Sequence, residues 1–257
     1  MKPVILKTTN LHKNFGGVKA VSDFSFEVRE GEILAIIGPN GAGKTTIFNL
    51  LSKIYEPDSG TIEFDGRDIT KTSQIDVARL GISRTFQNAR LFTGLNVLDN
   101  VKVALDYNAR YSLIEAMLML PRRWKYEKET SRAAKECLEL LNLYEYADKR
   151  PDNLPYGLQR RVEIARALVV NPKVLMLDEP AAGLNPEEVF QLMDFLREIR
   201  EKYPETAILI IEHRMDLVMN ICEYIYVQDF GVTIAKGEPA EIQCNPHVLK
   251  AYLGEED

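Results

Sequence analysis

The 257-residue chain is 46% hydrophobic and 27% charged, the balance of a globular protein able to bury a core, which excludes the disordered and fibrous classes. Its 38 acidic side chains outnumber 32 Lys and Arg, leaving a formal charge of -6. No overall positive field is available to hold a polyphosphate backbone, so nucleic acid is not expected as a main partner.

The first apolar run, Val4 to Leu6, meets Lys7 too early for a signal peptide, and no later run approaches the roughly 18 residues of a membrane span. Short strand patterns fill the first third: Val4 to Thr8, Phe24 to Val28 in strict alternation, Glu32 to Ile37, and Thr61 to Phe64. Turn residues such as Glu30-Gly31 and Pro57-Asp58-Ser59-Gly60 separate them. From Leu95 to Ala147 the pattern turns helical, with Ala133, Cys137, Leu140 and Leu141 expected on one face and Lys128, Arg132, Lys135 and Glu139 on the other. Arg122-Arg123-Trp124-Lys125-Tyr126 within it reads as a solvated helix start, since Glu127 and Glu129 follow. A helix is expected from Gly157 towards Val170, then buried strands at Val174 to Leu177 and Ala207 to Ile211, flanking a helix that opens at Asn185-Pro186-Glu187-Glu188. Buried strands alternating with helices predict an α/β fold with a mainly parallel sheet, an N-terminal antiparallel β-subdomain and an inserted helical subdomain. The three cysteines, Cys137, Cys222 and Cys244, form no CxxC pair and are read as reduced thiols in a cytosolic setting.

The run Ile33 to Ile37 ends in Gly38-Pro39-Asn40-Gly41-Ala42-Gly43-Lys44-Thr45-Thr46 and then Ile47-Phe48-Asn49-Leu50-Leu51, which is strand, GxxxxGK[ST] loop and helix. Glycines let backbone N–H groups turn onto phosphate oxygens, Lys44 reaches the β and γ phosphates from a solvent-filled site, and the Thr45 hydroxyl ligates Mg²⁺. A chance match to the four fixed positions occurs in a chain this long about one time in a hundred. The loop by itself names neither the nucleotide nor its fate.

Downstream lie Arg84-Thr85-Phe86-Gln87, Leu154-Pro155-Tyr156-Gly157-Leu158-Gln159, Leu175-Met176-Leu177-Asp178-Glu179-Pro180 and Ile211-Glu212-His213. With the loop, this order of five motifs resembles the ATPase subunits of ABC transporters over essentially the whole chain. The resemblance implies a single ABC ATPase domain, with residues 1–92 and 166–257 forming the nucleotide-binding core and 93–165 the helical subdomain that carries the signature segment. It makes Gln87 the Q-loop glutamine and a metal ligand, Asp178 the metal-holding Walker B aspartate, Glu179 the catalytic base and His213 the switch histidine. Ala181-Ala182-Gly183-Leu184-Asn185 becomes the D-loop and Phe15 the aromatic that stacks on adenine. Tyr156, Gly157 and Gln159 fall in the segment that meets the nucleotide of a partner. From the residues alone, four apolar side chains before Asp178 argue for a buried strand ending in two carboxylates where open α/β sheets bind ligands.

Three positions depart from the family pattern. Pro155 stands where LSGGQ has serine, with Tyr156 for its first glycine, and Asn185 replaces the usual D-loop aspartate. These variants, with Gly81 to Asn88, Asn245 to Gly254 and the extra segment Tyr107 to Thr130, resemble the LivG-type ATPases of branched-chain amino-acid importers. That branch implies ATP and Mg²⁺ as cofactors, a second ABC ATPase subunit as homo- or heterodimer partner, two membrane permeases, and indirectly a periplasmic substrate-binding protein. It places the chain at the cytoplasmic face of the membrane. The alternatives are the ATPase of lipopolysaccharide export, an ABC ATPase acting on ribosomes or DNA, and a P-loop small-molecule kinase.

Overall fold

The computed structural model describes residues 2–85, 91–106 and 121–253. In chain order its elements are β1 (Val4–Phe15), β2 (Val18–Arg29), β3 (Ile33–Ile37), α1 (Lys44–Leu51), β4 (Ser59–Phe64), β5 (Arg67–Asp68), α2 (Gln74–Leu80), β6 (Ile82–Arg84), α3 (Val97–Val103) and α4 (Pro121–Leu140). There follow α5 (Tyr156–Leu168), β7 (Val174–Asp178), α6 (Pro186–Lys202), β8 (Ala207–Ile211), α7 (Met215–Ile221), β9 (Tyr224–Asp229), β10 (Val232–Gly237), α8 (Pro239–Gln243) and α9 (Pro246–Leu253). The chain divides into two units, 1–87 with 173–257, and 88–172.

The first unit holds two sheets. One is antiparallel, in the order β2-β1-β4-β5, and the other runs β10-β9-β3-β8-β7-β6. In the second sheet β9, β3, β8, β7 and β6 are parallel and β10 returns antiparallel on β9. All five residues of β3, of β7 and of β8 are buried, which is why their sequences are unbroken apolar runs rather than alternations. The N-terminal strands instead present one face: along β2, Phe24, Phe26 and Val28 are buried while Ser25 faces out. They pack with Ile47, Phe48, Leu50 and Leu51 of α1 and with Leu34, Met176 and Leu209 of the parallel sheet in one core. β1 and β2 are longer than the alternation predicts. Their pairing shifts register between Thr8 and Leu11, where Asn10 sits at φ 49°, and Asp23 at φ 54° breaks the pattern of β2.

The second unit is wider than the 93–165 segment expected from sequence. Position 165 lies inside the continuous helix α5. At the other end the Phe92 amide and carbonyl are both bound by the buried Asn100 side chain, at 2.7 and 3.0 Å, which ties the connection to α3. Along α4 the buried residues are Thr130, Ala134, Cys137 and Leu138, followed by Leu141, the i, i+4, i+7 spacing of one helical face. The expected face is therefore corrected by a rotation of the helix: Leu140 is exposed and Ala133 only half-buried. Cys137 directs its thiol at the Ala165 carbonyl of α5, at 3.7 Å, and Trp124 stands exposed. All three cysteines are thiols outside any disulfide, and Cys137 and Cys222 are buried. The segment 107–120 of the expected insertion lies outside the described residues. Among the described residues no helix is long and apolar enough to cross a membrane.

Asn185 begins α6 with a reciprocal cap: its side chain accepts from the Glu188 amide at 2.9 Å, and the Glu188 carboxylate accepts from the Asn185 amide at 3.0 Å. An aspartate accepts equally well, so the departure at this position costs the helix nothing. Asn185→Ala is expected to lower stability by about 1 kcal/mol and Asn185→Asp to leave it unchanged within error, read from urea denaturation midpoints.

Candidate functional site

The in-register β3, β8 and β7 bring three loops to one edge of the sheet. After β3 the chain turns through Gly38 to Gly43 into α1. Gly43 has φ 95°, and a Cβ there would lie 2.2 Å from the Ala20 carbonyl oxygen, so only glycine lets the loop pack this closely against β2. The loop borders a cavity of about 370 Å³, lined by residues 40–46, by Ala20 at the start of β2, and across from them by Glu179 and His213. Gly38 and Pro39 act through their carbonyls, each accepting from Lys44 Nζ at 2.8 Å.

Lys44 corrects the expectation of a solvent-facing side chain: it is 5% exposed, because its aliphatic stem is covered as its ammonium folds back on the loop. Burial holds its pKa below the usual lysine value, opposed by the negative charges of Glu179 and Asp178. Thr45 is exposed and Thr46 half-exposed, both on the cavity wall.

At the end of β7, Asp178 is buried and bound through Oδ2 to Arg84 at 2.7 Å. Arg84, the last residue of β6, also donates to Asn49 Oδ1 at 2.7 Å and Ser52 Oγ at 2.9 Å in and beside α1, with its guanidinium over the Phe48 ring. One cation thus joins the helix behind the phosphate loop to the carboxylate at the strand end. Glu179 follows at φ 47°, an unusual value for a non-glycine residue, with its amide donating to the Ile211 carbonyl at 2.9 Å. His213 Nε2 lies 2.9 Å from Glu179 Oε1. Behind them the buried Glu212 carboxylate accepts from the amides of Ala181 at 2.6 Å, His213 at 2.9 Å and Arg214 at 3.2 Å, fastening the segment after Glu179 to the one that bears His213.

The structure therefore brings the loop, Asp178, Glu179 and His213 together. Gln87 lies outside the described residues. Phe15 is not among the residues that line the cavity; it is partly exposed and meets Tyr55 edge-on, with ring centroids 5.2 Å apart. Tyr156, Gly157 and Gln159 belong to the other unit, at the start of α5. There Pro155 occupies the N-cap with no side-chain cap, Tyr156 is half-exposed, and Gln159 Nε2 donates to the Leu154 carbonyl at 2.9 Å.

Arg84 and Glu212 are the functional-site residues that sequence reasoning did not single out. Each is a charge placed at the end of a strand, and only the folded contacts distinguish it from a surface residue. Chemically, one wall of the cavity offers an anion backbone amides, a helix N-terminus and an ammonium, and the other a carboxylate–imidazole pair. Thr45 Oγ and Asp178 are oxygen donors suited to a hard divalent cation.

Residues 21–182 match the family model described as ABC transporter, and residues 232–257 the model described as Branched-chain amino acid ATP-binding cassette transporter. The chain is 45% identical to the high-affinity branched-chain amino acid transport ATP-binding protein LivG of Salmonella typhimurium, with 99% of this chain and 100% of that protein covered. Among solved structures it resembles an ATP-binding cassette of an ABC transporter in an ADP conformation, at 33% identity and TM-score 0.85, covering 99% and 100% of the two chains. A dimeric ATP-binding cassette in a post-hydrolysis state, bound to ADP and phosphate, matches at 25% identity and TM-score 0.74, with 91% of this chain and 99% of that chain covered.

Removing Arg84 leaves the Asp178 charge buried without its ion-pair partner. Arg84→Met is expected to destabilise the folded chain by about 3 kcal/mol, as a shift of the urea midpoint at unchanged slope, whereas Arg84→Lys should recover part of the loss.

Proposed function

The chain belongs to the ABC transporter family of ATP-binding cassettes, and we propose that it binds and hydrolyses MgATP as the energising subunit of an importer of branched-chain amino acids. The observation that carries the hydrolytic reading is the Glu179–His213 pair, 2.9 Å apart, on the cavity that the phosphate loop also lines. The substrate class rests on the end-to-end likeness to a branched-chain amino acid transport protein and on the matching C-terminal segment.

In this reading the loop amides and Lys44 bind the β and γ phosphates. Phosphate supplies the buried ammonium with the counter-charge that its carbonyl partners only partly provide. The hard oxygens of Thr45 and of Asp178 fit Mg²⁺, which would neutralise charge on the β and γ oxygens. Glu179 orients the attacking water and accepts its proton, while the single N–H of a neutral His213 holds that carboxylate in the nucleotide-free site and turns to the γ phosphate when nucleotide is bound. By the family resemblance Gln87 serves as the Q-loop glutamine and a further ligand of the metal, and Phe15, which is not among the residues lining the cavity, as an adenine contact. Tyr156, Gly157 and Gln159 face the nucleotide of a second ABC ATPase, presenting backbone N–H groups where the family pattern has a serine hydroxyl.

Pairing closes two such sites and drives two permease subunits from the cytoplasmic face, with an extracytoplasmic binding protein delivering the amino acid. Vesicles holding the two permeases, this chain and its partner ATPase are expected to hydrolyse ATP faster when a leucine-loaded binding protein is added. No stimulation by leucine, isoleucine or valine would remove the substrate assignment.

Glu179→Gln keeps the shape of the site but cannot take a proton. Steady-state phosphate release is expected to fall by about 10²- to 10⁴-fold while MgATP affinity, measured by calorimetry, stays within a few-fold of the parent chain. An unchanged turnover would exclude Glu179 as the base.

A further inference from the structure

The hairpin from β9 to β10 turns on Phe230 and Gly231, with φ of 41° and 81°. Two positive φ angles mark the tight turn that suits strand twist, and Asn, Asp and Gly are the residues that favour its first position. A phenylalanine there is held against its backbone preference. It gains no burial in return, being 85% exposed.

The turn itself is pinned. Gly231 donates its N–H to the Ala42 carbonyl at 3.1 Å and accepts from the Ser22 amide at 2.8 Å. A Cβ on Gly231 would lie 2.7 Å from the Lys19 carbonyl oxygen. Fastened to the phosphate loop on one side and to β2 on the other, the turn carries Phe230 to the rim of the nucleotide cavity, beside Val18, Lys19 and Ala20.

Strand order says which end of a nucleotide this is. β8 and β9 flank β3 on opposite sides. Glu179 and His213 follow β7 and β8, so they mark the side of the terminal phosphate. Phe230, at the end of β9, stands on the other side, where the nucleoside leaves the loop.

We propose that Phe230 is a nucleoside-binding residue, its ring an apolar platform for the ribose and base of the nucleotide whose phosphates occupy the loop. The inference rests on the reading of this cavity as the ATP site. It gives the exposed ring a surface to cover, and the strained turn a reason to keep an aromatic side chain.

The test compares Phe230→Asn and Phe230→Tyr with the parent chain, titrating each calorimetrically with MgATP and with magnesium tripolyphosphate, which has no nucleoside. Asparagine suits the turn, so its melting temperature is expected to rise by roughly 2–4 °C. Its affinity for MgATP is expected to fall about five- to thirtyfold, the loss of one stacking contact, while tripolyphosphate binds as before. Tyrosine should keep both affinities. Unchanged MgATP affinity in Phe230→Asn, or an equal fall for both ligands, overturns the proposal. Lys44→Ala separates the two readings: it should weaken both ligands, and if it weakens neither, the ATP site itself is misplaced and the Phe230 assignment falls with it.

Discussion

The phosphate loop, Glu179 and His213 are positioned by the register of three buried parallel strands. β3, β8 and β7 pair so that Ile36 stands level with Ile211, and Ile211 with Asp178. Strands that run together and end together deliver their following loops to one edge, which is where open α/β sheets bind ligands. The phosphate loop, Glu179 and His213 are thus neighbours in space although up to 175 residues apart in numbering, from 38 to 213. A slip of one residue in any of these pairings would turn the strand over and send its loop residues to the wrong side. With both faces buried, the cost of such a slip lies in repacking close-fitted side chains and in misplacing the polar residues at the strand ends.

The same edge concentrates buried charge, and each charge is met by a partner within the fold. Asp178 has the Arg84 guanidinium, Glu212 has three backbone amides, and Lys44 has two backbone carbonyls. Left alone, any of them would carry a desolvation cost of several kcal/mol. Compensation by short, directional contacts also fixes where each group points. Arg84 shows this best, because it reaches α1 and β7 at once and so sets the distance between the loop's helix and the strand-end carboxylate. The site is organised by the protein's own polar contacts, which lets binding energy go to the ligand rather than to ordering side chains.

What could be read from sequence follows from how local each signal is. The phosphate loop is contiguous, and the apolar runs before Gly38, Asp178 and Glu212 announce buried strands, so fold class and the loop, Asp178, Glu179 and His213 were legible. Arg84 and Glu212 stand out in the sequence only as members of motifs, because a charge after an apolar run looks the same whether it is solvated or bonded; their partners, Asp178 and Ala181, lie 94 and 31 residues away. The burial of Lys44 was hidden for the same reason. The rotation of α4 escaped because Leu140 and Leu141 are equally apolar, and only packing against neighbours decides between them. Phe230 escaped because a strained turn is a property of φ, not of composition.

Two of the departures from the family pattern, Asn185 and Pro155, resolve differently. Asn185 preserves the chemistry of its position, since the acceptor that caps α6 is the side-chain oxygen, which asparagine and aspartate share. Pro155 does not: it fixes the N-cap of α5 at φ -51° and ψ 149° but brings neither a hydroxyl nor an N–H. The geometry of the helix start is thereby held by the proline ring, and any recognition of anion there falls to backbone amides and the positive end of the helix. A serine in this position could spend its oxygen on capping its own helix. Proline cannot, so α5 begins without the internal acceptor that α6 has, and the proposed role in meeting the nucleotide of a second subunit is one that this substitution leaves to the backbone.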